Sequence, residues 1–390
     1  MKRSTDRILT THVGSLPRPA ALLKLLHARE AGEPYDERAL AAAARTAVAD
    51  SVRQQVEHGL DIVSDGEMGK PNFITYIVER LSGFTPGPSN PGKSPFLGSR
   101  EFQSFPDFYG RQTFGSARFV RRECTGPIAY RGMAHLETDL ANLKSALNGA
   151  GAEEAFVPAV SPSNVEYFHQ NHHYPSIDAY VEAIADAMHV EYKAIADAGF
   201  LVQIDDPRLV SYYAMKPELS LAECRKWAER RVEVLNHALR DIPRDRIRFH
   251  TCYSIDIGPR IHDMQLRDVM DIILKIKAGA YSFEAANPRH DHEWREWRGV
   301  KLPDGAILIP GVITQSTVLV EHPELVADRI ERYANMVGRE NVIAGADCGF
   351  AAFAGMDDIP PSIVWAKFTA LAEGARLATK RLWGGARSAA

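Results

Sequence analysis

The stretch Leu201-Val202-Gln203-Ile204-Asp205-Asp206-Pro207 is a short apolar run that ends in two carboxylates and a proline. Its length and its β-branched residues are typical of a buried strand. Apolar residues at helical spacing follow over 221–239, and a second short apolar run comes at 247–253. A strand, a helix and a further strand in this order predict a βαβ unit, and therefore a parallel sheet.

The same alternation extends over the rest of the chain. Helices are predicted at 40–58, 177–198, 221–239 and 323–336, and strands at 8–15, 61–67, 155–161, 201–207, 247–253, 280–286, 306–312 and 341–349. Eight strands separated by helices predict one (β/α)8 TIM barrel over residues 1–390. A doubly wound parallel sheet would show the same alternation. No G-x-G-x-x-G opens a helix after an early strand, which weakens that dinucleotide-binding alternative.

One segment departs from this rhythm before the third barrel strand. Residues 84–117 are rich in Pro, Gly, Ser and Phe without any period, and 118–130 has the pattern of an additional extended piece. We therefore predict an inserted loop at 84–130 that forms a lid over the face where the barrel strands end. Its aromatic residues favour packing over disorder; they are Phe96, Phe102, Phe105, Phe108, Tyr109 and Phe114.

The composition of the 390-residue chain narrows the class of protein. Hydrophobic residues make up 45% and charged residues 25%, as in ordinary globular proteins. A net charge of −4 argues against a nucleic-acid partner, and no apolar run is long enough for a membrane helix. Four cysteines do not make a secreted disulfide framework, and the first residues lack a signal-peptide apolar region. We expect a cytoplasmic enzyme that acts on small molecules. The sequence is compatible with a monomer and with a homo-oligomer.

Polar residues of chemical interest come at the ends of the predicted strands, which converge on one face of a barrel. His250 and Cys252 lie two residues apart on one strand, so their side chains point to the same side. Glu284 and Cys348, at two other strand ends, complete a set of one nitrogen, two sulfurs and one oxygen. This set suits tetrahedral Zn²⁺ with a displaceable carboxylate. The alternative for any single cysteine is a small buried apolar residue.

Seven motifs along the chain resemble, in sequence and order, the catalytic barrel of the cobalamin-independent methionine synthases. They are Val13-Gly14-Ser15-Leu16-Pro17, Asp65-Gly66-Glu67, Gln203-Ile204-Asp205-Asp206-Pro207, His250-Thr251-Cys252-Tyr253-Ser254, Phe283-Glu284, Ile309-Pro310-Gly311-Val312 and Asp347-Cys348-Gly349. The resemblance implies a barrel of the methionine synthase and uroporphyrinogen decarboxylase type. It also implies zinc held by His250, Cys252, Glu284 and Cys348, which activates a thiol as the thiolate that accepts a methyl or other alkyl group.

The same resemblance assigns three residues to the binding of homocysteine: Ser15, Glu67 and Asp205. Carboxylates suit the ammonium group of an amino acid, whereas a hydroxyl and nearby backbone N–H groups suit its carboxylate. Structural roles are the alternatives: a helix cap for Asp205, an ion pair for Glu67 and a tight turn for Ser15.

Two segments depart from the family pattern. The synthases carry an Asp and a His after the glycine that corresponds to Gly311, where they assist protonation of the folate leaving group; here the segment 312–317 contains neither. His290 and His292, in the turn after Glu284, could supply a replacement acid because imidazole titrates near neutral pH. A solvated loop is the alternative for these histidines, and the alkyl donor stays open.

Two other functions fit these motifs. Epoxyalkane:coenzyme M transferases are single barrels in which a zinc-bound thiolate opens an epoxide, and their sulfonate-bearing acceptor requires a cationic pocket. Arg18, Arg208 and Arg289 lie in suitable loops, but Glu67 and Asp205 would repel a sulfonate. The carboxylates therefore favour an amino-acid thiol, with homocysteine as the leading acceptor. A zinc-binding barrel without turnover is the alternative from a different class.

Overall fold

A computed structural model describes residues 1–87, 96–111, 121–253, 257–303, 305–356 and 358–384. Its main sheet has eight parallel strands: β1 Leu9–Thr10, β2 Ile62–Val63, β5 Glu154–Val160, β7 Leu201–Asp205, β8 Ile247–Thr251, β9 Ala280–Phe283, β10 Ile307–Ile313 and β11 Ile343–Ala346. The spatial order is β1-β11-β10-β9-β8-β7-β5-β2, and a parallel bridge between Thr11 and Ile62 joins its two edges. The sheet therefore closes into a ring, which confirms the predicted TIM barrel and excludes the doubly wound sheet.

The helices among the described residues are α1 Ala20–Ala31, α2 Glu37–Glu57, α3 Tyr76–Arg80, α4 Arg100–Ser104, α5 Pro106–Tyr109, α6 Met133–Ala146, α7 Pro162–Phe168, α8 Ile177–Asp197, α9 Arg208–Met215, α10 Leu221–Ala238, α11 Met270–Ile273, α12 Pro323–Val337 and α13 Pro361–Gly384. The four predicted helices are α2, α8, α10 and α12. A capping box between Ser220 and Glu223 fixes the start of α10. Across the described residues, no helix combines the length and the apolar character needed to cross a bilayer.

Two layers of apolar side chains stabilise the barrel. The strands and the surrounding helices enclose the larger core, whereas a small cluster fills the barrel interior: Leu9, Ile62, Phe156, Leu201, Ala280, Ile307, Ile309 and Ile343. Arg248 is buried at the same level, 3.9 Å from the ring centroid of Phe156. Its guanidinium donates to Oγ1 of Thr11 and to the carbonyl of His12. A fixed positive charge therefore lies inside the barrel, within electrostatic reach of the strand ends.

The insertion contains more regular structure than its sequence predicts. A three-stranded sheet is formed by β3 Phe84–Pro86, β4 Arg122–Cys124 and β6 Gln170–Asn171, and the helices α4 and α5 occupy part of the segment expected to be a loop. At the start of α4 the hydroxyl oxygen of Ser99 accepts an N-cap hydrogen bond from the backbone N–H of Phe102, and Pro106 starts α5. Short local signals of this kind are hidden by a composition that otherwise favours loops. Phe114 lies outside the described residues.

Contacts of α4 place this part of the insertion against the carboxyl side of the barrel. Arg100 donates to the carbonyl of Tyr213 in α9 and to that of Leu219 just after this helix. Glu101 accepts a hydrogen bond from the backbone N–H of His262, in the loop that follows β8. The lid predicted for residues 84–130 stays a prediction, and residues 88–95 and 112–120 of this segment lie outside the described residues.

Candidate active site

The ends of β8 and β11 bring one imidazole and two thiols together. The ligand atoms of His250, Cys252 and Cys348 all lie within 4.8 Å of one another, and all three residues are buried. The two sulfur atoms are 3.1 Å apart, much longer than a disulfide bond, so both cysteines are free. This His/Cys/Cys cluster joins groups that are about 100 residues apart in the sequence, as expected where barrel strands converge.

The protonation and orientation of His250 suit a metal ligand. Burial, aided by the positive charge of Arg248, lowers the pKa of His250 to about 3, so the imidazole is neutral. Its Nδ1 atom lies 3.2 Å from Oγ of Ser282, which fixes the ring. Its Nε2 atom is buried and has no hydrogen-bond partner among the described residues. A buried nitrogen that lacks a partner beside two thiols is the arrangement that Zn²⁺ would satisfy.

The thiol of Cys252 is disfavoured as a free anion. Its hydrogen bond with Cys348, its burial and the nearby negative charges of Glu284 and Asp205 raise the pKa of Cys252 well above its ordinary value. A divalent cation would reverse this effect because it stabilises the thiolate form directly. The local electrostatics therefore also favour a cation at the His/Cys/Cys cluster.

Glu284 lies beside this cluster, but its carboxylate is engaged elsewhere. One oxygen accepts a hydrogen bond from the backbone N–H of Tyr253 at 2.9 Å. The other accepts from Arg260 and from the side-chain amide of Asn287, both at 2.7 Å. Glu284 is therefore not among the three grouped ligands, and its role as a fourth ligand stays a prediction. Arg260, which is buried in the loop after β8, belongs to no motif and was not predicted.

Asp347 organises the turn that carries Glu284. Its carboxylate accepts hydrogen bonds from the backbone N–H groups of Ala285, Ala286 and Asn287, at 2.7, 2.8 and 2.9 Å. A Cβ atom on residue 311 would overlap this carboxylate, which explains the need for Gly311. The motifs that contain Gly311, Glu284 and Asp347 are therefore parts of one packed unit.

The loops after β1 and β2 bring Ser15 and Glu67 to the same end of the barrel. Leu16 donates its backbone N–H to the carbonyl of Gly66, and the carbonyl of Ser15 accepts from the backbone N–H of Phe350, two residues after Cys348. Glu67 is buried with a φ of 56°, a left-handed conformation that costs a non-glycine residue about 1 kcal/mol or more. Such strain at a buried carboxylate is typical of a functional position.

We call Asp205 and Glu67 the acidic pair, because the charge of Glu67 acts on Asp205, and Asp205 in turn acts on Cys252. Burial and the negative charge of Glu67 raise the pKa of Asp205 well above its ordinary value. Asp205 accepts a hydrogen bond from Gln203 at 2.7 Å, and Lys70 lies 3.5 Å from Glu67. Lys70, which we did not predict, also donates to the carbonyl of Pro158 at 2.6 Å. Two carboxylates with one long ion pair leave capacity for a further cation.

The two histidines of the turn after β9 occupy different environments. His290 is buried between Asp263 and Glu293, at 3.1 and 2.8 Å, and stacks on Tyr253. Burial alone would lower the pKa of His290, but the two carboxylates outweigh it and raise the pKa to about 9. His292 is exposed on the short 3-10 helix Asp291–Trp297. The structure therefore places only His290 in the buried network next to Glu284.

Two of the three arginines considered for a sulfonate have other roles. Arg18 is buried and donates to the backbone carbonyls of Glu67, Lys70 and Ala351, so it braces the loops around the site. Arg289 is exposed and makes a long contact with the carbonyl of Ile261. Neither guanidinium is positioned as a free cationic pocket.

Both the sequence and the fold of this chain are similar to those of known proteins. A family model described as cobalamin-independent synthase, catalytic domain, matches residues 8–90 and 167–359. The methionine synthase of Thermococcus kodakarensis is 25% identical over 344 residues, covering 87% of this chain and 86% of that protein. The methionine synthase of Saccharolobus solfataricus is 22% identical over 377 residues, covering 96% and 95%. A B12-independent methionine synthase from Shewanella sp. W3-18-1, solved in complex with selenomethionine, has a similar structure, with a TM-score of 0.73 at 21% identity. The match covers 97% of this chain and 99% of that one, and it supports the fold.

Proposed function

Because the chain belongs to the family of cobalamin-independent synthase catalytic domains, we propose that it transfers a methyl group to the thiol of homocysteine with the help of zinc. The observation that carries the proposal is the buried His/Cys/Cys cluster within electrostatic reach of Asp205, the partner of Glu67 in an acidic pair. The His/Cys/Cys cluster suits a soft metal and a thiol, and the acidic pair suits an ammonium group.

The metal would be held by Nε2 of His250 and by the sulfur atoms of Cys252 and Cys348. Glu284 would join as a fourth ligand once its carboxylate leaves Arg260. When bound, zinc lowers the pKa of the acceptor thiol and makes it a nucleophile near neutral pH. Ser282 keeps the imidazole of His250 oriented through Nδ1, which leaves Nε2 available.

The acidic pair would orient the acceptor. An ammonium between Glu67 and Asp205 would offset the unfavourable burial of these carboxylates and would lower the raised pKa of Asp205. Ser15 lies in the adjoining loop, where its hydroxyl and neighbouring N–H groups would receive the carboxylate of the amino acid. With both ends of the acceptor fixed, its sulfur would be directed to the His/Cys/Cys cluster.

In the transfer step a new bond forms between the acceptor sulfur and the methyl carbon. The bond between this carbon and the donor breaks, and the donor atom keeps the electron pair and takes up a proton. His290 is protonated at neutral pH, but both of its ring nitrogens are engaged by Asp263 and Glu293. We propose that His290 supplies this proton after its hydrogen bond to Asp263 or to Glu293 breaks. His292, which is exposed to solvent, is the alternative acid.

A panel of thiols titrated into the zinc-loaded protein tests the function. Homocysteine, coenzyme M, cysteine and glutathione are compared by calorimetry and by proton release at fixed pH. We expect homocysteine to bind most tightly and to release about one proton, because a coordinated thiol must lose its proton. A preference for coenzyme M would replace methyl transfer by the epoxide-opening alternative. Absence of proton release with every thiol would contradict an alkyl transfer.

A further inference from the structure

Arg208 is a buried cation at the carboxyl end of β7. It is the first residue of α9, three positions after Asp205, and only 8% of its surface is exposed. Its guanidinium lies 4.0 Å from the ring centroid of Tyr167 and 5.0 Å from that of Phe168. Asp206, two residues before Arg208, donates its backbone N–H to the carbonyl of His250 at 2.8 Å, so the start of α9 lies beside the strand that carries His250 and Cys252. The positive charge of Arg208 acts on both Asp206 and Cys252.

No protein acid neutralises this guanidinium within the part of the chain that the structure describes. Its Nε atom is buried without a hydrogen-bond partner among the described residues. The neighbouring carboxylate of Asp206 is already occupied, because it accepts from Ser163 at 2.7 Å and from Asn164 at 2.9 Å. The two aromatic rings stabilise the cation but cannot replace an anion.

Three other buried arginines have hydrogen-bond partners in the protein. Arg18 donates to three carbonyls, Arg248 to two oxygens, and Arg260 to two carboxylates. Burial of a cation without such partners is unfavourable, and a ligand that carries the opposite charge would offset this cost. The planar fork of a guanidinium matches the two oxygens of a carboxylate.

We propose that Arg208 binds a carboxylate of a substrate held over the His/Cys/Cys cluster and thereby sets substrate specificity. This inference rests on the proposed function, since it assigns a further contact to the substrates of the same site. The carboxylate has two sources, the amino-acid acceptor and an acidic methyl donor such as a folate. Glu67 and Asp205 would hold the cationic end of the acceptor, and Arg208 would provide the complementary positive side.

The variant Arg208→Met removes the charge but keeps an apolar stem against Tyr167 and Phe168. Calorimetry on the zinc-loaded protein compares homocysteine, its methyl ester and γ-mercaptobutyrate, which differ in carboxylate and ammonium. If the acceptor is the source, R208M should bind homocysteine and γ-mercaptobutyrate about tenfold to a hundredfold more weakly, with the ester unchanged. If the donor is the source, acceptor binding is unchanged and the KM for a folate donor rises by a similar factor, with kcat less affected.

Arg289→Met is the control for loss of one positive charge, since Arg289 is exposed and outside the site. Arg208→Lys separates charge from fork geometry and should recover only part of the affinity. Equal binding of both substrates by wild type and R208M would overturn the proposal. Thermal shifts with succinate and glutarate test the carboxylate site independently of thiol chemistry. Stabilisation of wild type but not of R208M would support the site even if no thiol bound. Equal shifts in the melting temperatures of the two proteins would refute it.

Discussion

The guanidinium of Arg260 lies 2.7 Å from the carboxylate of Glu284, and the side chains of both residues are shielded from solvent. Arg260 also donates to Asp263 at 2.9 Å within the loop after β8, and its bond to Glu284 links this loop to the turn after β9. Its φ of 54° places it in the left-handed region, like Glu67. Since Glu284 is also the proposed fourth zinc ligand, Arg260 and the metal would compete for one carboxylate.

Replacement of Arg260 by Met should therefore affect the metal-free and the metal-loaded protein differently. Without metal, Glu284 and Asp263 lose a buried partner, which should lower the free energy of unfolding by about 3–5 kcal/mol. Zinc should restore more stability to R260M than to wild type, because it then neutralises an unpaired carboxylate. Urea unfolding with and without zinc measures both effects. Arg260→Lys keeps the charge and should be intermediate, whereas equal zinc stabilisation in all three proteins would exclude the competition.

The cysteines of the His/Cys/Cys cluster provide a second prediction. Cys252→Ala and Cys348→Ala should each abolish stoichiometric zinc binding and activity together while the barrel stays folded, because the large apolar cores do not depend on them. Metal content by mass spectrometry and far-UV circular dichroism check the two parts. Cys224→Ala is the matched control, since Cys224 is equally buried but lies in α10, and it should keep its zinc. Unfolding of both cluster variants would indicate a structural metal instead.

Part of the His/Cys/Cys cluster follows from regular features of the sequence. Alternation along a strand predicts that His250 and Cys252 face the same side, and convergence of strand ends predicts the approach of Cys348. The partners of Glu284 were not predictable. Arg260 reaches it through an irregular loop, and Asn287 does so through a turn that depends on Asp347. Such contacts depend on loop conformation, for which no periodic signal exists.

Buried basic residues were the other group that sequence patterns did not reveal. Lys70 and Arg248 follow no motif, yet the charges of both act on Asp205. Arg208 was considered only as one of three candidate cations, and its lack of a protein partner depends on how Ser163 and Asn164 occupy Asp206. The α4 and α5 helices were missed for a different reason, because each is shorter than the window in which helical periodicity can be recognised.

The acidic pair leads to a third prediction, on recognition of an ammonium. Glu67→Gln and Asp205→Asn keep the shapes of the side chains but remove one charge each. Each variant should bind homocysteine more weakly by about 1.5–3 kcal/mol, the range of a hydrogen bond to a charged group. Binding of γ-mercaptobutyrate, which lacks the ammonium, should be unchanged or tighter. Calorimetry with both thiols distinguishes loss of a specific contact from general damage, since a similar loss for both would contradict the assignment.

The final prediction concerns pH and His290. In the folded protein the pKa of His290 is raised from 6.5 to about 9, because hydrogen bonds to Asp263 and Glu293 outweigh the effect of burial. A raised pKa means that the folded state holds the proton more tightly than the unfolded state. Its stabilising contribution is therefore complete below about pH 6.5, declines as the pH rises, and is lost above about pH 9. The shift corresponds to about 3 kcal/mol.

His290→Gln should remove this contribution, so the difference in unfolding free energy between wild type and variant should shrink by about that amount from pH 6 to pH 9.5. His292→Gln, at an exposed position of the same turn, should follow wild type throughout. Urea titrations across this pH range measure all three proteins, and a difference for H290Q that stays constant with pH would show that His290 is not held as a cation between the two carboxylates.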